Sequence, residues 1–417
     1  MTTGPRDQQL RERAARVIPG GLWGHMNVAG FSPDYPQFFE RAEGCTLWDV
    51  DGNRYIDFMC SWGPVVLGHK HPRVEAAVDR QRSLGDAMDG PAPVLVDLAE
   101  LFVETLPFAD WALFQKNGSD ATTACVTIAR AGTGRRKILV AKGAYHGAVP
   151  WCSPSLAGVT AEDRAHLIHF TYNDLESLEA AAKAAEGDLA GVILSAFKHD
   201  YGQDQATIDP AFLAQARRIC TDADAALIID DVRAGFRLDL RGSWAPLGVQ
   251  PDLAAFSKAI ANGYPLAAVA GAERFRAAAS SSKVFLTGSF WYGAVSMAAA
   301  VAAIGTLRDD RVIEHTAAMG QRLRDGLAGL AASHGLGLRQ TGPAQMPMVL
   351  FDEDPKTVRG LAFCNAALLA GAYFHPRHNM FLSGAHTAAD IDRALEAAEV
   401  GMKAAAQVSS RQTAAAE

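Results

Sequence analysis

No two of the six cysteines (Cys45, Cys60, Cys125, Cys152, Cys220 and Cys364) form a C-x-x-C pair, so their spacing fits neither a tetrahedral zinc cluster nor a disulfide framework. They read as buried thiols. The opening stretch MTTGPRDQQLRERAARV lacks the apolar core and cleavage pattern of a secretory signal, which makes a reducing cytoplasm the expected compartment. Long hydrophobic runs are missing too. The best of them, 294–307, is Ala-rich and about fourteen residues long, short of the ~20 that span hydrocarbon. It reads as a buried helix, and no membrane partner is expected. Positive charge is not in surplus either: 39 Lys+Arg against 46 Asp+Glu gives a net charge of −7, which argues against neutralising a phosphate backbone. No nucleic acid is expected as a partner.

What the chain does have is 417 residues, 49% of them apolar and only 20% charged, a composition that builds a large packed core and about two domains. No fixed-period repeat or Pro-rich linker divides it. After a polar helix and the turn at Pro19-Gly20-Gly21, CTLWDVDGNRYIDF alternates on both sides of Asp51-Gly52 and predicts a small hairpin, an appendage rather than a domain. From about 90 to 290, helix-length segments alternate with short apolar runs at 112–115, 137–141, 191–196, 225–230 and 253–257. That alternation predicts an α/β fold with a mainly parallel sheet covered by helices on both faces. From Ser296 a long helix, a polar helix around 312–334, short strands such as MVLFD and a closing helix from Thr387 suggest a smaller α+β domain. The expected division is an N-terminal segment, 1–60, packing with the small domain, a large domain, 61–295, and the small domain, 296–406. The polar and Ala-rich tail, 407–417, has the composition of a disordered segment.

In an open α/β sheet, ligands sit beyond the carboxyl ends of the strands, so the residues after each apolar run carry the interest. After 112–115 comes Lys116-Asn117-Gly118-Ser119-Asp120 and then a helical stretch. That is either a phosphate-binding helix start or a plain N-cap. The run 225–230 ends in Asp230-Asp231-Val232, where a carboxylate leaving an apolar strand serves a cationic ring nitrogen or a metal, or pairs with Arg233 or Arg237. No HExxH and no EF-hand ladder supports the metal. The run 253–257 ends in Ser257-Lys258, and this is one of only ten lysines. Burial there would lower the ammonium pKa and free the amine as a nucleophile toward an aldehyde, whereas a strand-end Lys can also simply snorkel. Tyr145, flanked by Gly143 and Gly147, either lies flat on a planar ligand or is an ordinary core aromatic. Phosphate cradle, stacking ring, carboxylate and reactive lysine are together the parts that hold pyridoxal 5′-phosphate, PLP. Neither a dinucleotide fingerprint nor a GxxxxGK[ST] loop competes.

These residues and their order resemble the class III, fold type I, PLP-dependent aminotransferases, in particular the branch similar to glutamate-1-semialdehyde aminomutase. The resemblance spans about 17–400 and rests on PGG at 19–21, LWDVDGNRYIDF at 47–58, SWGPVVLGHKHP at 61–72, NGSDAT at 117–122, AYHG at 144–147, IIDDVRAGFR at 228–237, SKAIANGYP at 257–265 and SGAHT at 383–387. It implies that Lys258 is the Schiff-base lysine and Asp230 the partner of the pyridine nitrogen. Val232 would pack under the ring and Tyr145 over it, with Gly118 and Ser119 on the phosphate. Ser289 falls where the family has a threonine that reaches the neighbouring subunit's phosphate, which implies a homodimer.

Departures from the pattern bear on the substrate. Asn27 stands where the aminomutase has a carboxylate-binding arginine, His378 where it has an acid, and Ser195-Ala196 where a Glu-Pro is usual, so a transaminase is expected rather than a mutase. AKGAYHGA, DDVRAGFR, TGSFW, TGPAQMP and HPRHNMFLS are similar to amine:pyruvate transaminases that deaminate hydrolysed fumonisin. The aromatic candidates for the substrate pocket, Trp23, His25, Trp62, Phe290, Trp291 and Tyr292, suit a bulky or long-chain amine, and they are equally consistent with plain packing. A keto-acid acceptor such as pyruvate needs a cation, and Arg233 or Arg377 is the candidate. His69 and His71, between Gly68 and Pro72, read as turn residues rather than metal ligands. Two rivals remain: an aminomutase or racemase on the same cofactor, and a non-catalytic binding or regulatory protein on the same fold.

Overall fold

The computed structural model describes residues 4–198 and 201–409. The chain forms two compact units. One takes the residues up to His71, Tyr201–Asp204 and those from Glu314 on; the other takes those from Pro72 and Gln205–Ile313. Residues 61–71 join the first unit, where Gly44 bridges to His69 and the Trp62 ring meets His375 and His378. Helix Ala294–Asp309 belongs to the second because it packs along Pro72–Leu84 and Val94–Thr105. The sequence had placed the start of the small domain at that helix. Of the tail expected from 407, the part from 410 on lies outside the described residues. No helix among the described residues is long and apolar enough to cross a membrane.

The second unit is built on a seven-stranded sheet in the order Trp111–Gln115, Ala267–Gly271, Leu253–Phe256, Ala226–Asp230, Leu189–Leu194, Lys137–Ala141, Leu167–Phe170. Ala267–Gly271 is antiparallel to both its neighbours, and every other pairing is parallel. The remaining six strands therefore share one direction and open their carboxyl ends on one rim. Ala226–Asp230 is buried along its whole length, as a strand covered on both faces must be. On one face Ile138, Ile193, Ile228 and Val269 pack against Cys125 and Ile128 of the helix Gly118–Thr133. On the other, Phe102, Phe114, Phe236, Phe256 and Trp244 interlock at ring-centroid distances between 5.4 and 6.1 Å. Burying each such side chain contributes about 1.5–3 kcal/mol.

The amino-end rim is tied by arginines instead. Arg135 reaches the carbonyls of Leu189, Ala223 and Asp224; Arg136 pairs with Asp188 at 2.8 Å; Arg217 and Arg274 converge on Asp252 at 2.7 and 3.0 Å. Each closes a connection between neighbouring strands.

In the first unit the hairpin expected at 45–58 is present, as Thr46–Asp49 and Arg54–Asp57 joined across Gly52 at φ +86°, a conformation that favours glycine. Phe39–Glu43 and the short Ala372–Tyr373 complete its sheet. Val358–Leu369 packs on the closing helix Ala388–Gln407, whose start is fixed by a capping box between Thr387 and Asp390. Their core gathers Tyr35, Phe58, Phe363, Phe374 and Met402.

Candidate functional site

Four chain segments leave the carboxyl rim of the large sheet carrying chemistry. After Gln115, Asn117 opens the helix Gly118–Thr133, where Asp120 accepts from the Asn117 backbone N–H at 2.9 Å. The first N–H groups of a helix have no acceptor within it and face outward with the positive end of the dipole. Space there is made by glycine. A Cβ on Gly118 would lie 2.7 Å from Val232 Cγ1, and one on Gly147, at φ +132°, would lie 2.6 Å from Ser119 Oγ. The Ser119 hydroxyl also accepts the Ala148 N–H at 3.1 Å.

Asp230, at the end of its strand, is buried, with Oδ2 2.7 Å from His146 Nδ1 and Oδ1 accepting the Val232 N–H at 3.1 Å. His146 is itself buried, its carbonyl accepts the Thr122 hydroxyl at 2.6 Å, and its Nε2 has no partner among the described residues. Asp231 has a different task. Both its oxygens are taken by Ser243, and burial pushes its carboxyl up to about 7. The paired acids of the sequence thus divide into one that faces His146 and one that fastens a loop.

Lys258 follows strand Leu253–Phe256 at φ +49°, a conformation that costs a lysine about 1–2 kcal/mol. Burial pulls its ammonium well below the usual lysine range, Arg233 and Arg237 adding to the effect and Asp230 opposing it. A shift in this direction favours the neutral, nucleophilic form of the amine. Arg233 is itself pushed down to about 9 by burial, which leaves it a cation near neutrality. Tyr145 is 44% exposed, so it is not a core aromatic, and Val232 is half-buried against Gly118. Ser289 and Phe290 lie exposed in the segment before Gly293, Phe290 at 71%.

Trp291 and Tyr292 follow in the same segment, Tyr292 46% exposed, and the remaining candidates lie in the first unit. The Trp62 ring stands edge-on to His25, His378 and His375 at 4.6, 4.8 and 5.3 Å. It leaves a turn in which Cys60, Ser61 and Trp62 all have positive φ, of 45°, 55° and 65°. Trp23 is exposed at 71%. Arg377 donates through Nε to Thr357 Oγ1 at 2.6 Å and through Nη2 to the Lys356 carbonyl at 3.2 Å. His69 pairs with Asp57 at 2.9 Å. Sequence reasoning passed over two residues. His146 stood next to Tyr145 in the motif, and its signal was a polar ring following the apolar strand Lys137–Ala141, which lies two places from the Asp230 strand in the sheet. His375 gave no signal.

A helix start cleared by glycines suits a phosphate, a buried carboxylate held by an imidazole suits a pyridinium nitrogen, and a desolvated lysine suits an aldehyde. The residues fit PLP, and the PLP-dependent transferases of fold type I present this set on this kind of sheet. Comparison with known proteins narrows the class: the class-III aminotransferase family model matches residues 30–397, and the chain belongs to that family. Its cofactor is pyridoxal 5′-phosphate. Over 399 residues, 96% of this chain and 94% of the relative, it is 49% identical to the aminopentol aminotransferase of Sphingopyxis macrogoltabida. The PLP internal aldimine form of the FumI protein of Sphingopyxis sp. MTA144 superimposes with a TM-score of 0.95, at 49% identity and 96% coverage of both chains. A glutamate-1-semialdehyde 2,1-aminomutase of Desulfitobacterium hafniense is 31% identical over 96% of this chain and 99% of its own.

Proposed function

We propose that this aminotransferase moves the amino group of a bulky or long-chain amine to a keto acid such as pyruvate. The observation that carries the reading is the 49% identity, end to end, with an aminotransferase of aminopentol. Bound PLP supplies an aldehyde that condenses with amines and a ring that takes up the charge left when a substrate carbon loses its proton. Lys258 Nζ holds the cofactor in the resting protein and, once released, takes and returns the substrate Cα proton. Asp230, steadied by His146 Nδ1 at 2.7 Å, keeps a proton on the pyridine nitrogen. The helix start at Gly118 and Ser119 binds the phosphate, and Val232 and Tyr145 bound the ring on its two faces. Trp62, His25, Trp23 and Phe290 meet the apolar part of the amine, and Arg233 or Arg377 takes the acceptor carboxylate.

The reading includes a homodimer. Phe285 and Phe290 are 88% and 71% exposed on either side of Ser289, an apolar segment that a second copy would cover while bringing the Ser289 hydroxyl to its phosphate. Light scattering is expected to give twice the 44.3 kDa chain mass; a monomer at micromolar concentration contradicts it. Cytoplasmic residence is part of the same proposal.

A panel of amines and amino acids, offered with pyruvate or 2-oxoglutarate while the cofactor absorbance is followed, tests the reaction. Long-chain or bulky primary amines with pyruvate should be the fastest pair. If the amino group stays on the substrate skeleton with no acceptor consumed, the protein is an aminomutase or racemase instead.

A further inference from the structure

Asp231 is buried, and each of its polar groups is engaged. Its N–H donates to the Ala255 carbonyl at 2.9 Å, which ties it to the strand leading to Lys258, and its own carbonyl accepts the Gly235 N–H at 2.8 Å. The carboxylate reaches across to Ser243, accepting the backbone N–H on Oδ2 at 2.9 Å and the hydroxyl on Oδ1. Residues 232–242 are closed into a loop by this one contact.

Both feet of the loop are held by close packing. A Cβ on Gly235 would lie 2.7 Å from the Asp231 carbonyl oxygen and 2.8 Å from Oδ2, so the chain passes this close only as glycine. At the far foot Gly242, at φ +100°, turns the chain into Ser243, and the next residue, Trp244, is fully buried against Phe108 and Phe256 at 5.6 and 6.1 Å. Between the feet Phe236 is held at φ +59°, a conformation that bulky residues rarely adopt, with the Phe102 and Phe256 rings at 5.4 and 5.5 Å. The loop is a shaped element rather than a slack connection.

Its cargo gives the shape a purpose. Arg233 and Arg237 both stand on it, and among the charged groups that bear on the Lys258 amine these two are the cations and Asp230 is the anion. Arg237 acts against Arg233 as well. Three like charges gathered at one place push the loop outward, and a retreat of either guanidinium would return the lysine toward its ordinary basicity. A fastening at the foot of the loop opposes that drift.

We propose that Asp231 and Ser243 form a buried clasp that holds Arg233 and Arg237 close to Lys258, which makes Ser243 a positioning residue for the reactive amine. The inference rests on the reading of Lys258 as the cofactor anchor.

The test uses the PLP-loaded enzyme. The linkage between Lys258 and the cofactor changes colour when its nitrogen gains or loses a proton, and nearby cations lower the pH at which it does so. Ser243→Ala keeps the backbone N–H and removes the hydroxyl. It should raise the absorbance midpoint by about half a pH unit, the size expected when two nearby cations each retreat by about 1 Å. It should also speed amide hydrogen exchange in 232–242 about tenfold, as loss of one hydrogen bond to a carboxylate allows. Ser243→Thr should restore both quantities. A double variant identifies the route: with Arg233→Gln already present, adding Ser243→Ala should move the midpoint by clearly less than it does alone. Faster exchange with an unmoved midpoint would reduce the clasp to a fastening without effect on the amine and overturn the proposal. So would a full additional shift in the double variant, or wild-type values of both quantities in Ser243→Ala. Borohydride reduction that puts the pyridoxyl mass on a lysine other than Lys258 would instead bring down the reading on which the inference rests.

Discussion

Lys258→Ala is expected to lower kcat by about 10⁴-fold, the upper end of what one acid–base group contributes, because in the proposed function a single amine serves both as cofactor anchor and as proton carrier. No neighbour can replace it. Arg233 and Arg237 press on Lys258 as cations, and a guanidinium does not accept a proton from carbon. The same environment that makes the lysine a base, burial reinforced by two guanidinium groups, gives the variant little reason to unfold, since a desolvated amine contributes poorly to stability. Single-turnover absorbance with a fast amine measures the loss. An independent reading comes from borohydride reduction of the PLP-loaded wild type, which should leave a pyridoxyl mass on the peptide containing Lys258. Full activity in Lys258→Ala, or the mass on another lysine, would remove this residue from the chemistry.

Asp230→Asn should cost about 10²- to 10³-fold in kcat, the usual effect of deleting one preorganised electrostatic partner. The amide keeps the size of the carboxylate and can still accept the Val232 N–H through Oδ1. What it loses is the charge. A neutral carbonyl facing a pyridine nitrogen cannot hold a proton there, and His146 Nδ1, now 2.7 Å from an amide, loses its anionic partner as well. Binding of PLP should weaken far less than turnover, because the helix start at Gly118 and the amine of Lys258 are untouched. The measurement is kcat together with PLP affinity by fluorescence titration. A variant within a few-fold of wild type would mean that the ring nitrogen needs no counter-charge.

The chemistry-bearing rim was legible because the sequence writes it locally. Gly118-Ser119 starts a helix, Asp230 ends a run of apolar residues, and Lys258 follows another. Two strands were not legible. Ala267–Gly271 is AAVAG, too small and too poor in β-branched residues to announce a strand, and Leu167–Phe170 lies at the sheet edge with only its last residue fully buried. The run read at 191–196 begins two residues earlier, at Leu189, because pairing to Lys137–Ala141 rather than hydropathy sets where it starts. The joint between units was set at 295, where the composition changes, whereas packing of Ala294–Asp309 on Pro72–Leu84 carries that helix into the sheet-bearing unit. His375 was invisible for a different reason: it stands out by a buried ring nitrogen without an acceptor among the described residues, which is not a property of residue type.

The arginine ties along the amino-end rim have a practical consequence for anyone who handles the protein. Sidedness of this kind separates the face that can be glued from the face that must be left alone. An affinity handle or a resin linkage installed at the connection containing Glu186 and Gly187, which runs into residues tied by Arg136 on Asp188 and Arg135 on Leu189, meets no loop that follows Gln115, Ala141, Asp230 or Phe256.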